Sequence, residues 1–170
     1  MSASSKVRWG VLSTAAIATK VSKAMHGAEN AEPVAVASRN LAKAQAWGKE
    51  HNVATAYGSY EELLDSDVDA VYIGLPPALH HEWTIKAAEK GKHVLCEKPL
   101  AMNLAEAQEM AAACEQHKVM FMDGVMWVHH ARAADMHTHI TGAELGELRR
   151  MTSAFSFNWD EVPENNIRVK

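Results

Sequence analysis

The chain has 170 residues, enough to bury one core and begin a second. At 48% hydrophobic and 22% charged it has the make-up of an ordinary globular protein, which excludes the disordered and fibrous classes. A formal net charge of −4 leaves no electrostatic footprint for nucleic acid, and no apolar run approaches the roughly 18 residues that a membrane span needs. The first six residues, Met1 to Lys6, hold no apolar stretch, so no secretory signal is expected. Cys96 and Cys114 are too few for a disulfide framework and suit a reducing compartment, so a cytoplasmic location is expected with both thiols buried and inert.

In chain order, Val7 to Leu12 reads as a buried strand, followed by helix-compatible sequence from Ala16 to His26 that Gly27 stops. Val34 to Ser38 is a second β-branched run. Leu41 to His51 follows as a helix, with Leu41, Ala44 and Trp47 on one face. Val53 to Tyr57 is a short extended piece, and Ser59 to Glu62 has the spacing of a capping box. Val68 to Gly74 reads as a strand closed by Pro76 and Pro77, then Leu79 to Lys90 as a helix ended by Gly91. His93 to Cys96 is a strand and Asn103 caps a helix from Leu104 to His117; Val119 to Met122 is the next strand. Ala131 to Thr141 is a later helix, and Leu148 to Phe157 alternates as a strand would.

This alternation predicts an α/β fold, a Rossmann-like doubly wound parallel sheet covered by helices on both faces. Such sheets bind ligands at the carboxyl ends of their strands. After the first strand comes Gly10-Val-Leu-Ser13-Thr14-Ala15-Ala16-Ile17-Ala18, where a dinucleotide site would carry G-x-G-x-x-G. Ser13, Ala15 and Ala18 stand at its three glycine positions: all are small, none is glycine, and Ser13 and Thr14 add hydroxyls for phosphate oxygens. The turn alone also fits a simple strand–helix junction. About 20 residues on, where an acid would hold the ribose of NAD, stand Ser38, Arg39 and Asn40, with Lys43 one turn later. A carboxylate there would repel a 2′-phosphate, whereas an arginine offers paired donors that match it, so NADP is expected over NAD.

The fifth strand ends in Glu97-Lys98-Pro99. A lysine at the ligand edge, beside an apolar wall and a positive nicotinamide ring, would have its ammonium form disfavoured and could exchange a proton with a hydroxyl. A surface lysine before a strand-ending proline is the plainer alternative. The ten histidines suggest no metal site: His137 and His139 lie two apart on a helix, facing different sides, and no spacing matches zinc. Met120, Met122 and Met126 are expected to fill core around the last parallel strand, and Trp9, Trp47 and Trp83 to pack helices on the sheet.

"GKHVLCEKPL" preceded by "LPPALHHEWTIKAAEKG", with "RWGVLSTAAIA" at the start and "MWVHHARAADMHTHITGAELGELRRMTSAFSF" later, resembles the Gfo/Idh/MocA oxidoreductase family over essentially the whole chain. The resemblance implies an NADP-dependent oxidoreductase acting on a secondary alcohol or carbonyl of a sugar or cyclic diol. It implies a cofactor turn at Ser13, Thr14, Ala15, Ala16 and Ile17, and adenosine-phosphate contacts at Ser38, Arg39 and Lys43. Further cofactor contacts are implied at Leu75, Pro76, His80, Glu97, Lys98 and Trp127, with Glu97 and Lys98 as the catalytic pair and a cis Lys98–Pro99 bond. Leu75-Pro76-Pro77 departs from the family's usual Pro-Asn, Val128 replaces a frequent arginine and Ala131 a frequent proline.

Residues 1–124 are then the cofactor-binding domain and 125–170 the start of a second, α+β domain with an open-faced antiparallel sheet. The resemblance also implies a protein about twice as long, likewise homo-oligomeric, whose remaining half completes the proton-transfer group. Residues Met151 to Phe157 would be half-exposed and adhesive without that sheet. Two other functions fit the same fold: a non-catalytic NAD(P)-binding regulator, and an NAD-dependent glycosidase.

Overall fold

The structure is a computed structural model that describes residues 6–142 and 145–156. The chain divides into two units, residues 1–126 and residues 127–170. The first is a six-stranded parallel sheet: β1 (Val7–Leu12), β2 (Ala31–Ala37), β3 (Thr55–Tyr57), β4 (Ala70–Ile73), β5 (His93–Cys96) and β6 (Phe121–Asp123). The strand order is β3-β2-β1-β4-β5-β6, so the sheet is wound outward in both directions from β1 and β4. That reversal opens a crevice between β1 and β4, at their carboxyl ends.

Each strand is flanked by helices: α1 (Ala16–Gly27), α2 (Leu41–His51), α3 (Tyr60–Leu64), α4 (His80–Glu89) and α5 (Leu104–Gln116). Side chains alternate across the pleat, so neighbours on one strand enter different cores. Val11, Val36 and Tyr72 join Ala18, Met25, Ala44 and Trp47 of α1 and α2 on one face. Leu12, Ala37 and Ile73 join Leu63, Trp83, Ala87 and Met110 of α3, α4 and α5 on the other. Burying each leucine- or isoleucine-sized side chain contributes about 1.5–3 kcal/mol, so both layers are needed to hold the sheet. Gly10 belongs to this packing, because a Cβ there would lie 2.5 Å from Cδ2 of buried Leu63.

Local signals set the helix starts. Ser59 Oγ accepts from Glu62 N–H at 3.2 Å, while the Glu62 carboxylate accepts from Gly58 N–H at 3.0 Å. Asn103 and Glu106 repeat the arrangement, the carboxylate of Glu106 accepting from Met102 N–H. Asn40 caps α2 by accepting from Lys43 N–H, and Asn52 ends that helix in the left-handed region at φ 57°.

Several strand boundaries differ from expectation, β3 among them, which pairs only over Thr55–Tyr57. β2 begins at Ala31, ahead of Val34, because the β1 pairing shifts there: Trp9 faces Pro33 and Gly10 faces Ala35, so the proline sits at an irregularity in the ladder. β4 spans only Ala70–Ile73, although Asp69 N–H and Gly74 N–H still donate to β1 carbonyls at 2.8 and 3.3 Å. β6 starts at Phe121 because Lys118 turns the chain at φ 56°, and Val119 N–H donates back to the end of α5.

The methionines correct a further expectation: Met120, Met122 and Met126 are exposed by 73%, 47% and 71%. β6 is the last strand of the sheet, and Phe121, on the opposite side of the pleat, takes the core position. Among the described residues the buried methionines are Met25 and Met110. Trp47 and Trp83 pack between helix and sheet on opposite faces, and Trp9 packs, partly buried, on the Trp47 side. Leu41 lies in the first turn of α2 and is exposed, while Ala44 and Trp47 are buried.

In the second unit, α6 (Ala131–Thr141) starts at His130, whose ring accepts from Arg132 N–H. Residues 148–156 form no strand, because a strand needs a partner and none pairs with them among the described residues; Phe157 lies outside those residues. No helix among the described residues is long and apolar enough to cross a membrane.

Candidate functional site

The chemistry-bearing residues of the first unit gather at the carboxyl edge of the sheet. β1 delivers Ser13 through Ile17, β2 delivers Ser38 and Arg39, β4 delivers Leu75 and Pro76, and β5 delivers Glu97 and Lys98. Adjacent strand ends are tied laterally: Glu97 N–H donates to Ile73 O at 3.0 Å and Gly124 N–H to Cys96 O at 2.6 Å. A surface hollow of about 590 Å³ lined by Gly48, Lys49, Asn52 and Val53 lies instead at the amino edge, where no candidate residue stands.

At the first turn, Ser13 takes φ 151°, a conformation in which glycine is more at ease than an L-residue. Its hydroxyl offsets part of that cost by accepting from Ala15 N–H at 2.9 Å. Ala15 and Ala16 are exposed, Thr14 and Ile17 half-buried, and Ala18 is fully enclosed against the sheet. Ala15 gives α1 no side-chain cap, and no acid lies in the first turn. Helix N–H groups therefore face an open surface bordered by small side chains, the environment an anionic phosphate requires.

At the end of β2, Arg39 and Lys43 are exposed and Ser38 is half-buried; the first turn of α2 holds no acid. Ser38 Oγ accepts from Asn40 N–H at 3.3 Å. The donor set is cationic and hydroxylic where a carboxylate would oppose a 2′-phosphate, so these residues fit a phosphorylated ribose.

At the end of β5, Glu97 is buried, 8% exposed. Its Oε1 accepts from the Tyr72 hydroxyl at 2.8 Å and its Oε2 from the Lys98 backbone N–H at 3.1 Å. Burial first, then the bond to the Glu97 carboxylate, pushes the Tyr72 phenol well above its ordinary range and keeps it a donor. Lys98 is exposed, its amine has no protein partner among the described residues, and the Lys98–Pro99 peptide is cis. Among the described residues no apolar wall encloses the Lys98 side chain, which is exposed.

His80 opens α4 and is fully enclosed. One ring nitrogen lies 2.8 Å from Leu75 O, the other 3.0 Å from Pro99 O and 3.3 Å from Leu100 O. The imidazole thus joins the loop after β4 to the loop that carries Lys98, and it stands inside the wall of the site, away from its surface. Leu75 turns its side chain into the core, and Pro76 is exposed at the strand end. Trp127 opens the second unit in a short 3₁₀ turn and is half-exposed. No group of three or more metal-ligating side chains occurs among the described residues. Burial pushes the Cys96 thiol up to about 12 and raises that of Cys114, as inert thiols require.

Residues 7–125 match a family described as an oxidoreductase family with an NAD-binding Rossmann fold, GFO_IDH_MocA. The chain belongs to the Gfo/Idh/MocA oxidoreductase family. It is 44% identical over 166 residues to D-xylose 1-dehydrogenase (NADP(+)) 2 of Haloferax volcanii, covering 95% of this chain and 49% of that protein. It is 34% identical over 159 residues to trans-1,2-dihydrobenzene-1,2-diol dehydrogenase of Xenopus laevis, covering 92% of this chain and 48% of the relative. Among solved structures, KijD10, a 3-ketoreductase from Actinomadura kijaniata in complex with TDP-benzene and NADP, superimposes with a TM-score of 0.77 at 32% identity. That likeness covers 84% of this chain and 45% of KijD10. The chain thus spans about half the length of the curated relatives it matches.

Three structural roles are not foreseen from the sequence: Tyr72 as the partner of Glu97, His80 as the link between two loops, and Asn40 as a helix cap. Asn40 stands beside Arg39, three residues ahead of Lys43, the spacing of a cap, so a signal for it exists. Tyr72 gives no such signal, because a tyrosine within an apolar strand reads as core.

Proposed function

We propose that this chain is the NADP(H)-binding part of an oxidoreductase that interconverts a secondary alcohol and its carbonyl on a sugar or cyclic diol. The observation that carries the reading is the meeting, at one edge of the sheet, of an uncapped α1 N-terminus, an acid-free Ser38–Arg39 corner and the Glu97–Lys98 pair. The α1 end and the Ser13 and Thr14 hydroxyls would hold the pyrophosphate, and Ser38, Arg39 and Lys43 the 2′-phosphate. Pro76 would border the nicotinamide end from β4, with Leu75 shaping that loop through its backbone; Trp127 would add a further cofactor contact. When bound, the nicotinamide supplies the hydride acceptor or donor.

Lys98 does the proton work: its amine takes the hydroxyl proton as an alcohol is oxidised, and returns a proton to oxygen as a carbonyl is reduced. Glu97 holds the lysine backbone and fixes where the amine starts. His80 joins the two loops from behind. The dehydrogenase and reductase relatives support this class of substrate, and the same reading takes the protein as cytoplasmic and oligomeric, with residues 125–170 opening a substrate domain. NADP⁺ reduction with aldoses and trans-dihydrodiols by the full-length protein tests the chemistry. Lys98→Ala must abolish NADPH formation while NADPH still binds; turnover that survives the substitution removes Lys98 from the proton path.

A further inference from the structure

We propose that Tyr72 is the positioning residue of the Glu97–Lys98 pair: its hydroxyl fixes the Glu97 carboxylate, which in turn fixes the Lys98 backbone amide. The relevance of this relay to proton transfer rests on the function proposed above, but the relay itself does not. Tyr72 stands on β4, next to β5, with its side chain on the face shared with α1 and α2. Tyr72 pairs with Leu95, two residues before Glu97 on the same side of the pleat, so the ring reaches the carboxylate along the strand direction. The two carboxylate oxygens are divided between two donors, Tyr72 Oη at 2.8 Å and Lys98 N at 3.1 Å.

Filling the core does not account for this arrangement. A buried tyrosine hydroxyl needs a partner, yet a backbone carbonyl would serve without bringing a carboxylate out of water. Here the carboxylate is enclosed, and the backbone on both sides makes room for the pair. A Cβ at Gly74 would lie 2.9 Å from Tyr72 Cε1, and one at Gly124 would lie 3.1 Å from Glu97 Cα and 3.3 Å from Glu97 Cδ. The glycines at the ends of β4 and β6 thus leave ring and carboxylate in contact with bare backbone. The carboxylate cannot swing away without losing both donors at once.

Backbone amide exchange, followed by NMR on the chain with Tyr72→Phe, Glu97→Ala and the double variant, tests the relay. Phenylalanine keeps the ring and removes only the hydroxyl. The Lys98 amide should then exchange about tenfold faster or more, the loss of a bond to a charged acceptor. The sheet amides of Val71 and Leu95 should keep their wild-type rates. Glu97→Ala should speed the same amide, and adding Tyr72→Phe to it should change nothing further. An unchanged Lys98 rate in Tyr72→Phe overturns the relay, and so does a uniform rise across β4 and β5, which would make Tyr72 a packing residue. Should Tyr72→Phe not fold, Glu97→Ala decides alone: a Lys98 amide still protected overturns the proposal. NADPH titration of the unsubstituted chain keeps the two claims separate. Failure to bind removes the cofactor reading and leaves the exchange result standing.

Discussion

His80 is the side chain whose removal should cost the fold most at the site. It is fully enclosed and faces three carbonyl oxygens, which can only accept hydrogen bonds. In His80→Ala at least one interior carbonyl loses its donor, at about 1–3 kcal/mol. The vacated ring space adds about 3 kcal/mol, the low end of the range for emptying a buried aromatic site. The sum, about 4–6 kcal/mol, takes a large share of a typical domain's stability. At roughly 2–4 °C per kcal/mol for a chain of this size, thermal unfolding by circular dichroism should move down by about 8–24 °C. His80→Phe fills the space without a donor and isolates the bonds, so it should lose about 1–3 kcal/mol. A His80→Phe variant that melts with wild type would show that the carbonyls gain nothing from the imidazole, and the account of the joined loops would fail.

Two further outcomes follow from the geometry. Arg8 bonds both Asp67 and Asp69, and its guanidinium holds both carboxyls below their ordinary range. Groups with lowered folded pKa stabilise the fold above the unfolded value near about 4 and lose that contribution as pH falls through the folded value. Melting between pH 6 and pH 2 should therefore fall less steeply in Arg8→Ala, and parallel curves would remove the ion pairs from the acid response. Ser13→Gly should relieve a backbone cost of about 1–3 kcal/mol. It loses a hydrogen bond of about 1 kcal/mol. The freer unfolded chain costs a further 0.4–1 kcal/mol or so. Stability by denaturant titration should then lie between about 1 kcal/mol below and about 1.6 kcal/mol above wild type; a loss of about 1.4–2 kcal/mol, the bond and the freer chain alone, would show that the Ser13 turn is not strained.

The sheet was legible because its apolar runs are short, β-branched and separated by helical periodicity, as in Val7 to Leu12 and His93 to Cys96. The caps at Ser59 and Asn103 were legible because one side chain and one spacing determine them. Boundaries that depend on a neighbour were not. The start of β2 ahead of Pro33 shows only in the shift of the β1 pairing that gives that proline a place, and Lys118 adopts a left-handed turn that lysine does not advertise. Met120 and Met122 read as core around the last strand, but only strand order reveals that β6 is an edge. The candidate site divides in the same way. Arg39 and Lys98 stand at strand ends and could be placed from the pattern. Tyr72 and His80 act through bonds to residues 25 and 19 positions further along the chain, which no local spacing encodes.

The cofactor claim is tested most directly by titrating the chain with NADPH and with NADH, followed by tryptophan fluorescence, with Arg39→Ala alongside. The account predicts that NADPH binds more tightly than NADH and that Arg39→Ala weakens NADPH alone, by roughly 10- to 150-fold for a lost bond to phosphate. Equal affinity for the two nucleotides, or an Arg39→Ala variant that binds NADPH as wild type does, would contradict it.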